Sequence, residues 1–191
     1  MPLIRNLCAL ALFLAGPLLH AAAPPPPPED APSWQSKVEQ ALPLYGHRNW
    51  ILIVDSAYPL QSSPGIETID TNAPLIPVVR YVLTAIDNSE HVRPEIFMDA
   101  ELPFVAEEDA PGISQFRSNM ADMLHAFSVQ SLPHAQLIAN VDKDSKTFQV
   151  LVLKTNMTLP YSSVFIHLSA KYWSDDAETR MRSKMGSSTP Q

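Results

Sequence analysis

Residues able to move protons stand at the ends of apolar runs in this chain. In "YGHRNWILIVDSAYP", His47 precedes a wholly apolar stretch and Asp55 closes it eight residues later. His134 opens the segment "HAQL", and Tyr161 follows a proline in "LPYSS". Imidazole titrates near neutrality and can either take or give a proton. A carboxylate can orient an imidazole or accept hydrogen bonds from hydroxyl groups, and a phenol can donate one. Together these groups suit acid/base chemistry. Taken singly, Asp55 also reads as the cap of a following turn, and His47 after Gly46 as an ordinary helix C-terminal residue. A metal site built from His47, Asp55 and His134 is a third reading.

The elements that must position these residues follow from the hydrophobic pattern. "SWQSKVEQAL" predicts a helix with Ser33 as N-cap, closed by Pro43. "NWILIVD" (Asn49 to Asp55) is a continuous β-branched run, the pattern of a strand buried on both faces. "YPLQSSPG" reads as a loop. "APLIPVVRYVLTAID" places Leu75, Val78, Val79, Val82, Leu83 and Ile86 on one helical stripe, with its prolines in the first turn. "RPEIFMD" is a second strand, "ISQFRSNMADMLHAF" a helix and "HAQLIANVDKDSK" a short helix and turn. "FQVLVLKT" and "SVFIHLSA" are strands flanking a turn, placed to form a hairpin or a tighter crossing. This alternation predicts an α/β fold with a mixed, mostly parallel sheet between helical layers. The tail, 174–191, is polar and reads as loose.

Composition excludes several function classes. The leading 23 residues carry one early cation, Arg5, an apolar run from Leu7 to Leu19 and then small residues, the pattern of a secretory signal peptide. The run is short for a membrane span, which needs about 20 residues. A membrane anchor is the alternative, and with the leader removed no membrane segment is expected. The expected location is periplasmic or secreted. Removing the leader loses one cation and no acid, taking the net charge from −7 to −8. No basic cluster stands out, which disfavours nucleic-acid binding. The single cysteine, Cys8, lies in the leader, so disulfides, thiol nucleophiles and thiolate metal sites are excluded downstream. Residues 24–33, rich in proline, read as an extended spacer. Residues 34–173 form the domain. No phosphate loop, dinucleotide fingerprint, H-E-x-x-H or nucleophile elbow is present, and no metal or organic cofactor is expected.

Gly46-His47, Asp55 and Pro59 resemble, at the same spacing, the opening motif of the D-ribose pyranase / L-fucose mutarotase (RbsD/FucU-like) family. A second match is "VLVLKTNMTLPYSSVFIHL", with Pro160-Tyr161 in register, and "HAQL" resembles the segment that supplies another active-site histidine. The resemblance implies an RbsD-like three-layer α/β/α domain acting on a free monosaccharide without a cofactor. It implies interconversion of ring forms or anomers through ring opening, and a ring-like homo-oligomer with sites near subunit contacts. On this reading His47 is the main acid/base, Asp55 its orienter or a sugar binder, His134 a second proton carrier and Tyr161 a positioning donor. Asn49 and Ser163 fall at substrate-binding positions. Asn49 stands where the family has Asp, Ser163 where it has Asn, and Asn156-Met157 where it has Gly-Glu. A different set of recognised hydroxyls, or a sugar-binding or scaffold protein that has lost turnover, is the alternative these departures raise. His91, His125 and His167 read as structural or surface residues.

Overall fold

The computed structural model describes residues 33–187; the leader, and the spacer up to residue 32, lie outside the described residues. Six strands form one sheet in the order β2-β5-β1-β6-β3-β4, where β1 is Trp50–Val54, β2 Ile66–Asp70, β3 Val92–Asp99, β4 Val129–Leu132, β5 Val150–Lys154 and β6 Val164–Ala170. β1, β2 and β5 run parallel, as do β3 and β4, and β6 is antiparallel to both of its neighbours, β1 and β3. All five other strands therefore point the same way, and β6 alone runs against them. The sheet is mixed and mostly parallel, as the alternation predicts. The two strands expected to flank a turn do not pair: β1 lies between β5 and β6.

Every residue of β1 is buried because both faces are covered. Ile51 and Ile53 face one core with α1 (Trp34–Ala41), α2 (Leu75–Asn88) and α3 (Ile113–Leu124). Trp50, Leu52 and Val54 face a second core with Leu137 and Val141 of α4 (His134–Asp144). Full burial of each aliphatic side chain contributes about 1.5–3 kcal/mol, which makes β1 the structural centre. The six-residue stripe of α2 is buried as its spacing predicts. Pro43 does not stop α1 cleanly; the chain tightens into a 3-10 turn over Leu42–Leu44 that accepts proline in its first positions.

Three elements depart from the sequence expectation. β2 and β4 are the two edge strands, short and only partly buried, so neither carries a continuous apolar signal. Most of the tail is helical among the described residues: α5 spans Asp175–Ser187, capped by the Ser174 hydroxyl, which accepts from the Ala177 N–H. Its acidic first turn and basic last turn suit the helix dipole, a signal that polarity alone hides. Among the described residues no helix is long and apolar enough to cross a membrane.

Gly65 leads into β2 where the chain passes close to the α4–β5 loop. A Cβ there would run into the Ser145 carbonyl oxygen and lie 2.8 Å from that of Phe148. Because both neighbours are backbone, Gly65→Ala is expected to destabilise the fold by about 1–3 kcal/mol, the usual cost of overpacking. A lowered urea midpoint with unchanged slope would show it.

Candidate functional site

The uniform strand direction gathers the C-terminal ends of β1, β3, β4 and β5 at one rim, the edge where α/β sheets hold ligands. Asp55 follows β1, Asp99 ends β3, His134 follows β4, Lys154 ends β5 and Ser163 precedes β6. Val164 pairs with Ile53 on one side and Met98 on the other. One step along, Ser163 lies between Val54 and Asp99. Asp55 and Asp99 thus belong to strands two spacings apart, about 10 Å.

His134 is the first residue of α4. Its N–H donates to both carboxylate oxygens of Glu101, each at 3.0 Å, so Glu101 caps the helix that carries it. Its Nδ1 lies 3.0 Å from Oδ1 of Asp99. With Asp99 ionised, Nδ1–H donates to the carboxylate, and Nε2 carries the lone pair of the neutral ring. The Asp99 side chain is fully buried while that of His134 is 40% exposed, so the pair presents imidazole outward and hides its carboxylate. Oδ2 of Asp99 has no hydrogen-bond partner. Burial pushes the Asp99 carboxyl up, opposed by the hydrogen bond and charge of His134 and reinforced by the charges of Glu101 and Asp55.

The ring of Tyr161 meets that of His134 edge-on, with centroids 5.7 Å apart and planes at 82°. Tyr161 has φ 55°, a left-handed conformation uncommon outside glycine and frequent where function holds a backbone in strain. Asp55 does cap the following turn, since Oδ1 accepts from the Ala57 N–H at 2.8 Å. Its Oδ2 accepts from the Ser163 hydroxyl at 3.1 Å, and the Asp55 N–H donates to the Ser163 oxygen at 3.3 Å. Ser163, 1% exposed, therefore braces Asp55. Beneath the rim, Tyr58 is 5% exposed and its phenol is pushed up to about 12, first by burial and then by Asp142, Asp55 and Asp99. Lys154 donates to the Tyr58 carbonyl at 2.8 Å.

One chain thus brings together Asp55, His134, Tyr161 and Ser163. It does not bring His47 or Asn49 to them. Both precede β1, whose five residues span about 17 Å, so His47 lies at the opposite end of the sheet from Asp55. It is exposed there, its ring 6.3 Å from that of His167. Asn49 closes the turn before β1: Oδ1 accepts from the Gly46 N–H and Nδ2 donates to the Gln149 carbonyl, so its side chain is spent on backbone. A metal shared by His47, Asp55 and His134 is therefore not available within one chain, and no group of three or more His, Cys, Asp or Glu among the described residues is arranged to hold a metal. His167 pairs with Glu95 at 2.9 Å, which holds the Glu95 carboxyl below its usual range. His91 Nε2 lies 2.9 Å from the Tyr45 carbonyl oxygen, a structural role.

Asp99, Glu101 and Lys154 are the rim residues that sequence reasoning passes over. Asp99 closes "RPEIFMD" just as Asp55 closes "NWILIVD", so the same signal was present twice.

A model of the RbsD / FucU transport protein family matches residues 31–169. No curated protein matches the chain. Among solved structures, the chain is similar to Bacillus subtilis RbsD complexed with D-ribose, with 18% identity, a TM-score of 0.50, and coverage of 74% of this chain and 97% of that one. It is also similar to the fucose mutarotase from Streptococcus pneumoniae in complex with L-fucose, with 17% identity, a TM-score of 0.47, and coverage of 70% and 91%.

Proposed function

The chain belongs to the RbsD / FucU transport protein family, and from that premise we propose that it binds a free monosaccharide at the strand-end rim and interconverts its anomers or ring forms. The observation that carries this reading is the Asp99–His134 pair, an exposed imidazole braced by a buried carboxylate beside Asp55 and Tyr161. The D-ribose bound by the similar Bacillus subtilis RbsD supports a free monosaccharide as the substrate class.

Ring opening needs one proton taken and one given. Nε2 of His134 takes the anomeric hydroxyl proton as the C–O bond to the ring oxygen breaks, and a second acid protonates that oxygen. The open aldehyde rotates and recloses in reverse, so protons and electrons balance. Asp55 accepts hydrogen bonds from sugar hydroxyls, and Tyr161 donates one and covers the sugar. The second acid is His47 of a neighbouring copy in a ring-like homo-oligomer. Two facts support that: the rim is open within one chain, with Tyr161 39% exposed, and His47 is exposed at the far end of β1. The leader, 1–23, sends the protein to the periplasm or medium, where it meets its sugar.

The decisive experiment is exchange NMR on ribose, fucose and galactose. Faster anomeric or ring-form exchange supports the enzyme; binding with unchanged exchange means a sugar-binding protein that has lost turnover. Subunit mixing tests the shared site. His47→Ala and His134→Ala proteins, each inactive, should regain about a quarter of the wild-type rate when co-assembled at equal amounts, the share of sites that draw both histidines intact. No recovery would leave His47 outside the site.

A further inference from the structure

Glu95 and Asp99 lie four residues apart in β3, so the pleat turns both side chains to one face of the sheet, about 13 Å apart along the strand. Each holds an imidazole. Asp99 holds that of His134, and Oε2 of Glu95 lies 2.9 Å from Nδ1 of His167. This second pair stands level with Trp50, the first residue of β1, since His167 is the ladder partner of both Trp50 and Glu95. That is the end of the sheet where His47 is exposed. Glu95 is itself fixed: the hydrogen bond from His167 first, with Ser169 and Arg93 adding to it, holds its carboxyl below the usual range. The His167 ring rests on that of Trp50, with centroids 4.6 Å apart, and the Trp50 indole donates to Oδ2 of Asp144 at 2.9 Å. These contacts lock the His167 ring but leave its Nε2 with no hydrogen-bond partner among the described residues, and the side chain is 18% exposed. The His47 ring stands 6.3 Å away between centroids, with planes at 60°. No hydrogen bond joins the two rings, and a gap of this size suits one oxygen atom bonded to both at about 2.7–3.2 Å.

We propose that His167 is a further sugar contact of the shared site: one hydroxyl oxygen of the monosaccharide sits between Nε2 of His167 and the ring of His47. This deepens the reading in which His47 enters a neighbouring copy's rim, and rests on it. With Glu95 ionised, Nδ1–H of the neutral His167 ring donates to the carboxylate, and Nε2 is left as the acceptor for the hydroxyl. The sugar is thereby held against His47. Within one chain the carboxylates of the two pairs are about 13 Å apart, so the two imidazoles do not close on one monosaccharide. His167 therefore enters the site together with His47, from the neighbouring copy.

Affinity and exchange rate, measured by NMR on the full chain with ribose and fucose as probes, test the contact. His167→Phe keeps an aromatic ring on Trp50 and removes both nitrogens. Sugar affinity should fall about 3- to 10-fold, the effect of one neutral hydrogen bond, and KM should rise by the same factor while kcat changes much less. His167→Gln restores a polar group able to bond both Glu95 and a hydroxyl, and should recover most of the loss. Wild-type affinity in His167→Phe overturns the proposal, and so does a loss that glutamine fails to relieve, which would trace to packing of the ring. Subunit mixing assigns the half. In assemblies of His134→Ala with His47→Ala copies, the restored sites take their rim from the His47→Ala copy and their His47 from the His134→Ala copy. His167→Phe added to the His134→Ala copy should therefore raise the KM of the restored activity; added to the His47→Ala copy, it should not. The reverse pattern would set His167 beside His134 and overturn the proposal. Failure of the underlying reading looks different. Wild-type protein that binds sugar without exchange leaves the affinity of His167→Phe to decide, whereas no sugar binding by wild type, or no recovery on mixing, removes the shared site and this contact with it.

Discussion

Replacing His134 with alanine is expected to slow sugar ring opening by about 10²–10⁴-fold, the range over which a positioned general base acts. The variant should still bind sugar, since Asp55 and Tyr161 remain. Its fold should hold, because the His134 side chain is 40% exposed and the capping contact from Glu101 goes to its backbone N–H. Saturation-transfer NMR would read both quantities in one sample: exchange between anomers lost, ligand contact kept. Exchange at the wild-type rate in His134→Ala would remove the imidazole from the mechanism, and loss of binding together with exchange would make it a positioning contact only.

Asp99→Asn is expected to move activity and stability in opposite directions. The buried carboxylate fixes Nδ1–H and steadies the imidazolium that forms when Nε2 takes a proton. An amide holds the ring less well and carries no charge, so ring opening should slow by about 10–100-fold, the usual effect of losing such a partner. Stability responds the other way. Burial raises the folded pKa of Asp99 above its unfolded value. Its contribution is therefore fully present below the unfolded value, near 3.8, and is lost as pH rises through the folded pKa. Above the folded pKa the native state holds a buried charge whose Oδ2 has no partner. The uncharged amide removes that charge, so Asp99→Asn should raise the urea midpoint at pH 7, with little change at pH 3. A lower midpoint at pH 7 would show that the pairing with His134 outweighs the desolvation, and that Asp99 serves the fold as well as the site.

The strength of each sequence signal tracked how completely a segment is buried. β1 and β5 face cores on both sides, so "WILIV" and "VLVLK" stand out as unbroken runs. The stripe of α2 is complete because one face is wholly covered. β2 and β4, at the edges of the sheet, have half their surface in water and no run to see. α5 depends on capping and charge order, which are weak signals next to hydrophobic periodicity. The candidate site was legible only in that chemistry-bearing residues lie near strand ends: Asp55, His134, Tyr161 and Ser163 fall at one rim. Asp99 was passed over because its carboxylate ends a longer but more polar strand that also carries Arg93, Pro94 and Glu95. Sequence spacing could not show that His47 and Asp55, close in the chain, are held apart by the rigid strand between them. Only strand direction and burial reveal that.

The solitary reversed strand also bears on how the protein is made. β6 joins β2-β5-β1 to β3-β4, yet it is the last strand to be synthesised, at Val164–Ala170. A nascent chain on the ribosome can hold at most two separate sheet fragments, each with an unsatisfied edge, until its C-terminal end emerges. Completion so late keeps the six-stranded sheet from closing until translation is nearly finished. It also means that a premature stop anywhere before residue 164 deprives both fragments of their common neighbour.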